Sequence, residues 1–473
     1  MAAPEPLLAP AATGRGRHGD GPAAVGALGD GAAPWIPVAG ERAARLGAIC
    51  QDIIVGLLMA LMVVLPLSRG RWARSAILVV AACLWVARWA LGARPAWRRT
   101  PLDWPIAGFA AWALLSALAS VGPLYSLEKL GQEPLSYFGL FYLVAVHVRR
   151  ERDHRRILGM LGVGLLIMAG CGLWEWSRPW HLPGAYIRSL TAGGTYIGAY
   201  LAAAIPVAAA QTAVGGRLRR AWWWVAVGLG LLCVVPTFSR AAWAGVAISL
   251  IFLAVGTAPA LWLPLLAAAA AAPLLFGPAV VPRFLGLVSP PAVLADVTAM
   301  DRLPIWVYAL RRMGDHPFLG YGFGRQIPRL PLKEGYVSGE LVLRGSPLGY
   351  AHNTFLDVGL QMGFVGLALL LWLLAALLVV LWRAWRAAPP GYPRAVTAGV
   401  LAMALAFPVR AMTNNYFTDD PVILFWFLAA LALAAVPGSP FPVPGSGAGG
   451  PTGGRDEPGS GNRKAETSWE GAA

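Results

Sequence analysis

The chain has 473 residues, of which 57% are hydrophobic and 13% charged, with a mean hydropathy of +0.60. That balance excludes an ordinary soluble domain. The net charge of +15 is carried almost wholly by arginine, with lysine only at Lys129, Lys333 and Lys464. The basic residues are scattered over short segments and form no stripe, which excludes a nucleic-acid partner.

Residues 1–45 are rich in Ala, Gly and Pro and read as a disordered tail. Apolar runs then follow one another at 47–68, 75–93, 104–121, 132–148, 157–174, 192–214, 221–236, 239–256, 259–281, 352–382, 395–411 and 420–436. A bilayer core of roughly 30 Å takes about 20 apolar residues per helix, so the expected fold is an all-α polytopic membrane protein with about 12 transmembrane helices over 46–437. One long polar-containing interval, 282–351, separates the ninth and tenth runs. Residues 438–473 form a second Gly/Pro-rich tail. The four cysteines, Cys50, Cys83, Cys171 and Cys233, all lie inside apolar runs and have no metal-ligand or disulfide spacing.

Arginines cluster after the second run (Arg94, Arg98, Arg99), the fourth (Arg149 to Arg156), the sixth (Arg217, Arg219, Arg220) and the tenth (Arg383, Arg386, Arg394). Only Arg69, Arg71 and Arg74, after the first run, oppose them. The positive-inside bias therefore puts both termini in the cytoplasm and the 282–351 loop outside it. Glu175, Arg240, Arg410, Asn414, Asn415, Asp419 and Asp420 then fall on the same outer face.

Arg240 follows Pro236, which interrupts an otherwise over-long helix. It opens the eighth run, where free N–H groups and the dipole also favour an anion; an arginine snorkelling to lipid headgroups is the structural alternative. Arg302 opens a helix within the loop, after a box-like Thr298–Asp301 start and with Pro304 in the first turn. Arg302, Trp306, Ala309 and Met313 share a face, so this amphipathic helix is expected along the membrane surface. His352 begins the tenth run, where an imidazole can act as a base near neutral pH or can serve the helix end structurally. His316, in DHPFLGYGFG, reads as part of a turn. Asp419 and Asp420 suit a cation or, more simply, complement a helix start. Glu175, between Trp174 and Trp176, is a candidate sugar contact or one acid in an aromatic belt. There is no H-E-x-x-H, no Walker loop and no dinucleotide fingerprint.

TFSRAAWAG, DRLPIW with DHPFLGYGFG, and AHNTFLDVGLQMGFVG, in that order, resemble the O-antigen ligase/polymerase superfamily of bacterial envelopes. The resemblance covers about 190 to 430 in motif terms. It implies a C-type glycosyltransferase-like fold in the bacterial inner membrane, with the site facing the periplasm or cell exterior. The implied reaction is a metal-independent, cofactor-free inverting transfer of a glycan from undecaprenyl diphosphate to a hydroxyl of a lipid-A core, another glycan or a protein. On that resemblance Arg240 and Arg302 grip the donor diphosphate and His352 activates or orients the acceptor. Arg410 is a further diphosphate contact. Asp419, Glu175 and Arg312 are candidate acceptor or sugar contacts, and Arg311 and Arg325 line the same loop. A polymerase joining lipid-linked repeat units is the near alternative. A lipid-linked sugar transporter or flippase is the alternative from another class, and would need polar groups and interrupted helices at the bilayer midplane.

Overall fold

A computed structural model of the chain describes residues 40–67, 70–92, 99–178, 186–191, 193–276, 302–324, 351–413 and 420–436. Most of both tails, residues 277–301 and 325–350 of the loop region, and Asn414, Asn415 and Asp419 lie outside the described residues. Every regular element among the described residues is helical. The chain runs α1 (Glu41–Val64), α2 (Arg71–Ala90), α3 (Asp103–Leu118), α4 (Pro123–Leu130), α5 (Ser136–His147), α6 (Glu151–Trp176), α7 (Gly194–Gln211), α8 (Arg217–Val234), α9 (Arg240–Gly256), α10 (Trp262–Phe276), α11 (Arg302–Asp315), α12 (Thr354–Ala387), α13 (Tyr392–Ala411) and α14 (Asp420–Ala434).

Each apolar run of the sequence is met by a helix. Among the described residues, six helical stretches are long and apolar enough to cross a membrane: Glu41–Val64, Trp72–Ala90, Glu151–Trp176, Arg217–Thr237, Thr354–Ala387 and Tyr392–Ala411. Asp103–Leu118, Arg240–Gly256, Pro259–Ala271 and Pro421–Ala434 are apolar but shorter. The run expected at 132–148 is composite. Gly131–Leu135 forms a π turn around Pro134 before α5 begins, because a proline has no N–H for the regular ladder.

The centre of the bundle is α7, whose residues from Ile197 to Gln211 are all buried. Its composition explains its place. Ala202–Ala204 and Ala208–Ala210 present almost no side chain, so neighbouring backbones come close. On α13, a methyl group at Gly399 would meet Val207 Cα at 2.9 Å and the Pro206 carbonyl oxygen at 3.0 Å. Aromatic edges pack the other side, with Phe138 and Phe141 of α5 against Trp426 of α14 at centroid distances of 5.2 and 6.1 Å. Without a hydrophobic force between helices in lipid, this dispersion-rich contact is what joins them.

The basic ends of several helices meet at one end of the bundle. Arg155 at the start of α6 lies 4.1 Å over the ring of Tyr392 at the start of α13. Arg88 of α2 bonds Gln51 of α1, and Gln51 Nε2 donates to the His147 carbonyl at 2.8 Å. Chain direction then puts the starts of α7, α9 and α12 and the end of α13 together at the opposite end.

The tenth run was expected as one continuous helix, and it is not. At Gly363 the backbone leaves the helix, with φ 69° and ψ −173°, so α12 is a short segment, Thr354 to Met362, followed by a long one. Phe364 to Ala387 spans roughly 36 Å at about 1.5 Å per residue, enough to cross the bilayer by itself. The break frees carbonyls that helix geometry would have used. Leu360 O accepts from Tyr321 N at 2.9 Å and Gln361 O from Gly322 N at 3.0 Å. Ser116 Oγ of α3 donates to Gln361 O at 2.7 Å, and Trp112 Nε1 to Met362 O at 3.0 Å. Beyond the break, Phe364 N donates to Pro317 O at 2.7 Å.

Gly363 is the residue that makes this possible. A side chain there would be strained at that φ and would overlap the Phe318 carbonyl. Gly391, between α12 and α13, also has positive φ (103°), but open space surrounds its missing Cβ. Gly363→Ala is therefore expected to lower the thermal midpoint of the detergent-purified protein well beyond Gly391→Ala. Both positions carry a φ penalty of about 1–3 kcal/mol, and at Gly363 overlap with backbone adds to it. Equal midpoints for the two variants would contradict the strained, close-packed break.

Candidate functional site

Two groups of side chains occupy the end of the bundle opposite the arginine-rich one. The first is centred on Arg240. Pro236 sits in a one-turn 3-10 segment, Val235–Thr237, and Phe238 takes left-handed geometry with φ 49°. That reversal ends α8 and starts α9 with no loop between them. Ser239 caps α9, its Oγ accepting from Ala242 N at 3.3 Å, and Arg240 is the first helical residue, half-buried. The sequence expectation of an arginine at a helix start is met in position.

Arg410 joins the same group from α13. It is only 4% exposed, and its Nη1 donates to the Gly198 carbonyl of α7 at 2.7 Å. Its aliphatic stem lies against Gly245 of α9, where an added methyl would stand 3.4 Å from Cγ and Cδ. Gly198 also faces Ser239 and Ala242, at 3.3 and 3.2 Å from the position of its missing Cβ. Arg410 therefore ties three helices together at the level of the α9 start. A buried guanidinium held to a backbone carbonyl supplies fixed positive charge close to Arg240.

Glu175, at the end of α6, turns out to have a structural task. Its Oε2 accepts from Arg188 N at 2.9 Å and Ser189 N at 2.6 Å. Ser189 has φ 53°, and Ile187 N donates to the Pro236 carbonyl at 3.1 Å, so the carboxylate anchors the segment that packs beside the α8–α9 reversal. The neighbouring Trp174 carries Arg178 at 3.9 Å over its ring. The sequence signal for this anchoring is absent, because the partners are backbone amides more than ten positions away.

The second group surrounds His352. Its elements are α11, the 316–324 turn and the short segment of α12. The buried face of α11 is Ile305, Ala309 and Met313, which pack with Tyr321, Ala351 and Leu360. The face expected to rest on the membrane surface is thus packed largely on protein, while Val307 and Leu310 are the exposed apolar residues. Arg302 opens the helix as expected; its side chain, with Asp419 and Arg325, lies outside the described residues. Arg312 Nη1 bonds Asp315 Oδ2 at 2.8 Å and lies 5.2 Å over the Tyr321 ring, and Tyr321 OH donates to Asp315 at 3.2 Å. Burial pushes the Tyr321 phenol up to about 12, with Asp315 adding to the rise and Arg312 opposing it. It stays a neutral donor at physiological pH. His316 sits edge-on to Tyr321 at 4.4 Å, and its carbonyl accepts from Gly320 N at 3.1 Å, as the turn reading requires.

His352 itself is half-buried and has φ 50°. Asn353 caps α12, accepting from Phe355 N at 3.0 Å and Leu356 N at 3.2 Å. Asp357 Oδ1 accepts from Ala351 N at 2.7 Å, and Trp306 Nε1 donates to Ala351 O at 2.9 Å. Gln361 Oε1 accepts from Gly324 N at 2.7 Å. Asp357, Gln361 and Gly363 were missed as sequence features: Gln361 and Gly363 act on the backbone of the distant 316–324 turn, and Asp357 on the backbone N–H of Ala351 just ahead of its own helix.

An all-helical bundle with several bilayer-length apolar helices, a broken helix and arginines collected at one end defines a polytopic membrane protein. Residues 225–371 match the O-antigen ligase family (Wzy_C). That match supports membership of the O-antigen ligase superfamily and a ligase- or polymerase-type function in general. The matched segment runs from within α8 into α12 and includes Arg240, Arg302, the 316–324 turn, His352 and the Gly363 break; Glu175 and Arg410 lie outside it. No curated protein matches the chain.

The anchoring role of Glu175 has a direct consequence. Glu175→Gln keeps an acceptor oxygen for Arg188 and Ser189 and is expected to unfold close to wild type. Glu175→Ala loses both bonds and is expected to lose about 1–2 kcal/mol, the scale of hydrogen bonds to a charged group in a part-exposed site. Thermal unfolding of the two purified variants decides; identical midpoints would contradict the anchor.

Proposed function

We propose that this chain is a membrane glycosyltransferase that moves a glycan from a polyprenyl-diphosphate donor, undecaprenyl diphosphate in a bacterial envelope, to a hydroxyl acceptor. The observation that carries the reading is the joint placement of Arg240 and His352. Each stands at the start of a helix, both lie within the matched segment, and both helices begin at the same end of the bundle. The basic opposite end favours a cytoplasmic location by the positive-inside bias, which directs the site outward, with both termini cytoplasmic.

In this mechanism the acceptor hydroxyl oxygen bonds to the anomeric carbon from the face opposite the leaving group. The bond from that carbon to the diphosphate oxygen breaks, and the electron pair leaves with the polyprenyl diphosphate. The hydroxyl proton passes to the His352 imidazole. Configuration at the anomeric carbon inverts. Arg240 and Arg302 hold the diphosphate and stabilise the charge that grows on it, a task that guanidinium groups suit by their fixed charge and forked donors. Arg410 adds positive charge from behind Arg240. Arg312, Asp419 and the free face of Glu175 belong to the acceptor side. The transferase reading takes in the full set of about 12 spans, with the interval between α10 and α12 as the outer loop.

The acceptor of a ligase is a terminal lipid-A core, glycan or protein, and that of a polymerase is the next lipid-linked repeat unit. The family description favours the ligase. The broken helix invites the transporter reading, since interrupted helices mark transport sites. Its position speaks against that reading: the segment after Gly363 is long enough to cross the bilayer unaided, so the break lies near one end and not at the midplane.

Arg240→Ala, Arg302→Ala and His352→Ala, each accumulated in membranes at wild-type level, are expected to lose transfer. A general base contributes about 10²- to 10⁴-fold, and one charge-stabilising donor about 10²- to 10³-fold. Product formation from lipid-linked glycan is the readout. Full activity in all three variants would sink the assignment.

A further inference from the structure

His352 is one of few described non-glycine residues with positive φ, at 50°. Such geometry is uncommon outside glycine, although histidine adopts it more readily than most residues, and it persists where the surroundings fix it. The surroundings are side chains. Ala351, the residue before it, is 2% exposed, and both its polar backbone groups are taken by side chains of other turns. Asp357 Oδ1 accepts from its N–H at 2.7 Å, and Trp306 Nε1 donates to its carbonyl at 2.9 Å. That carbonyl belongs to the peptide plane that defines φ of His352. On the far side Asn353 is held by capping α12.

The two partners come from different elements, and that gives the clamp its use. Asp357 lies one turn into α12 and is 4% exposed. A carboxylate buried so deeply needs strong partners, and a backbone N–H of the His352 approach is one. Trp306 stands four positions after Arg302 on α11, on the same side of that helix. Its indole bond therefore ties the helix that begins with Arg302 to the peptide that leads into His352. The proposed transfer needs these two groups at a fixed separation, one at the leaving diphosphate and one at the attacking hydroxyl. The buried contact of Ile305, Ala309 and Met313 with Leu360 holds the same two elements together from below.

We infer that Trp306 and Asp357 are positioning residues that clamp Ala351 and so hold His352 in register with Arg302. This rests on the reading of His352 as the base in the proposed transfer. The clamp acts on the geometry of attack and leaves the donor site untouched, so its loss shows in kcat and spares KM for the donor. A displacement of about 1 Å costs on the order of 10²-fold in rate.

The test uses the full-length protein in proteoliposomes with lipid-linked glycan and a saturating acceptor. Asp357→Leu keeps the shape and removes the acceptor oxygen; Asp357→Asn keeps an oxygen for Ala351 N. Trp306→Phe keeps an aromatic ring and removes the indole N–H. Asp357→Leu and Trp306→Phe are expected to lower kcat about 10- to 100-fold, with donor KM within threefold of wild type, and Asp357→Asn to recover most of the loss. If Asp357→Leu does not accumulate, Trp306→Phe decides alone. Wild-type kcat in Trp306→Phe while His352→Ala is inactive overturns the clamp. Equal losses in Asp357→Asn and Asp357→Leu overturn the role of the Asp357 oxygen. An active His352→Ala overturns the base assignment itself, a failure distinguishable from that of the clamp.

Discussion

The carbonyl groups released where α12 breaks at Gly363 are the constraint on which the end of the molecule that holds His352 depends. An unpaired backbone carbonyl in an apolar setting costs several kcal/mol. The chain meets that cost by bringing in donors from far away in sequence. The backbone of Tyr321 and Gly322 pairs with Leu360 and Gln361, and α3 supplies Ser116 and Trp112. The 316–324 turn is thereby fixed on α12, and α11, directly before it, is fixed with it. Arg302 at the head of α11 and His352 at the head of α12 inherit their relative position from those bonds. Non-helical backbone in an apolar setting is tolerated only where protein covers it, and the turn is that cover.

A second arrangement serves the other arginines. The α8–α9 reversal at Pro236 and Phe238 brings the start of α9 beside α7, and the small residues of α7 and α13 let Arg410 reach the Gly198 carbonyl. Glu175 steadies the adjoining 186–191 segment from the end of α6. The result is positive charge on a rigid scaffold. Preorganised cations of this kind suit a leaving group that is already a stable anion, because they need not reorganise as charge develops.

Much of this was legible in the sequence, for a physical reason. Bilayer-scale hydrophobicity is a local property, so the runs from Leu46 to Pro437 mark their own helices. The proline before Arg240, and Arg302 at the start of a helix in the loop region, are local signals too, and they placed those residues correctly. What stayed hidden was non-local. Gly363 within an apolar run reads as a packing residue until Pro317 and Phe318 are seen against it. Asp357 stands in the first turn of α12, and its partner Ala351 is identifiable only in the folded chain. The face of α11 was assigned to the membrane because amphipathicity does not say whether lipid or protein covers the apolar side; here Leu360 and Tyr321 cover it. For Glu175 the tryptophan neighbours leave a sugar contact and an aromatic-belt acid both open, and neither points to its bonds with the amides of Arg188 and Ser189.

The most direct test of the account is a reconstitution of the purified chain with undecaprenyl-diphosphate-linked glycan, first alone and then with a lipid-core, glycan or protein acceptor. Both the glycan product and free undecaprenyl diphosphate are measured. The account predicts the two in equal amounts, with inverted anomeric configuration. Transfer only after acceptor addition marks a ligase, and a ladder from the donor alone marks a polymerase. Glycolipid crossing the bilayer with no new glycosidic bond and no diphosphate released would contradict it.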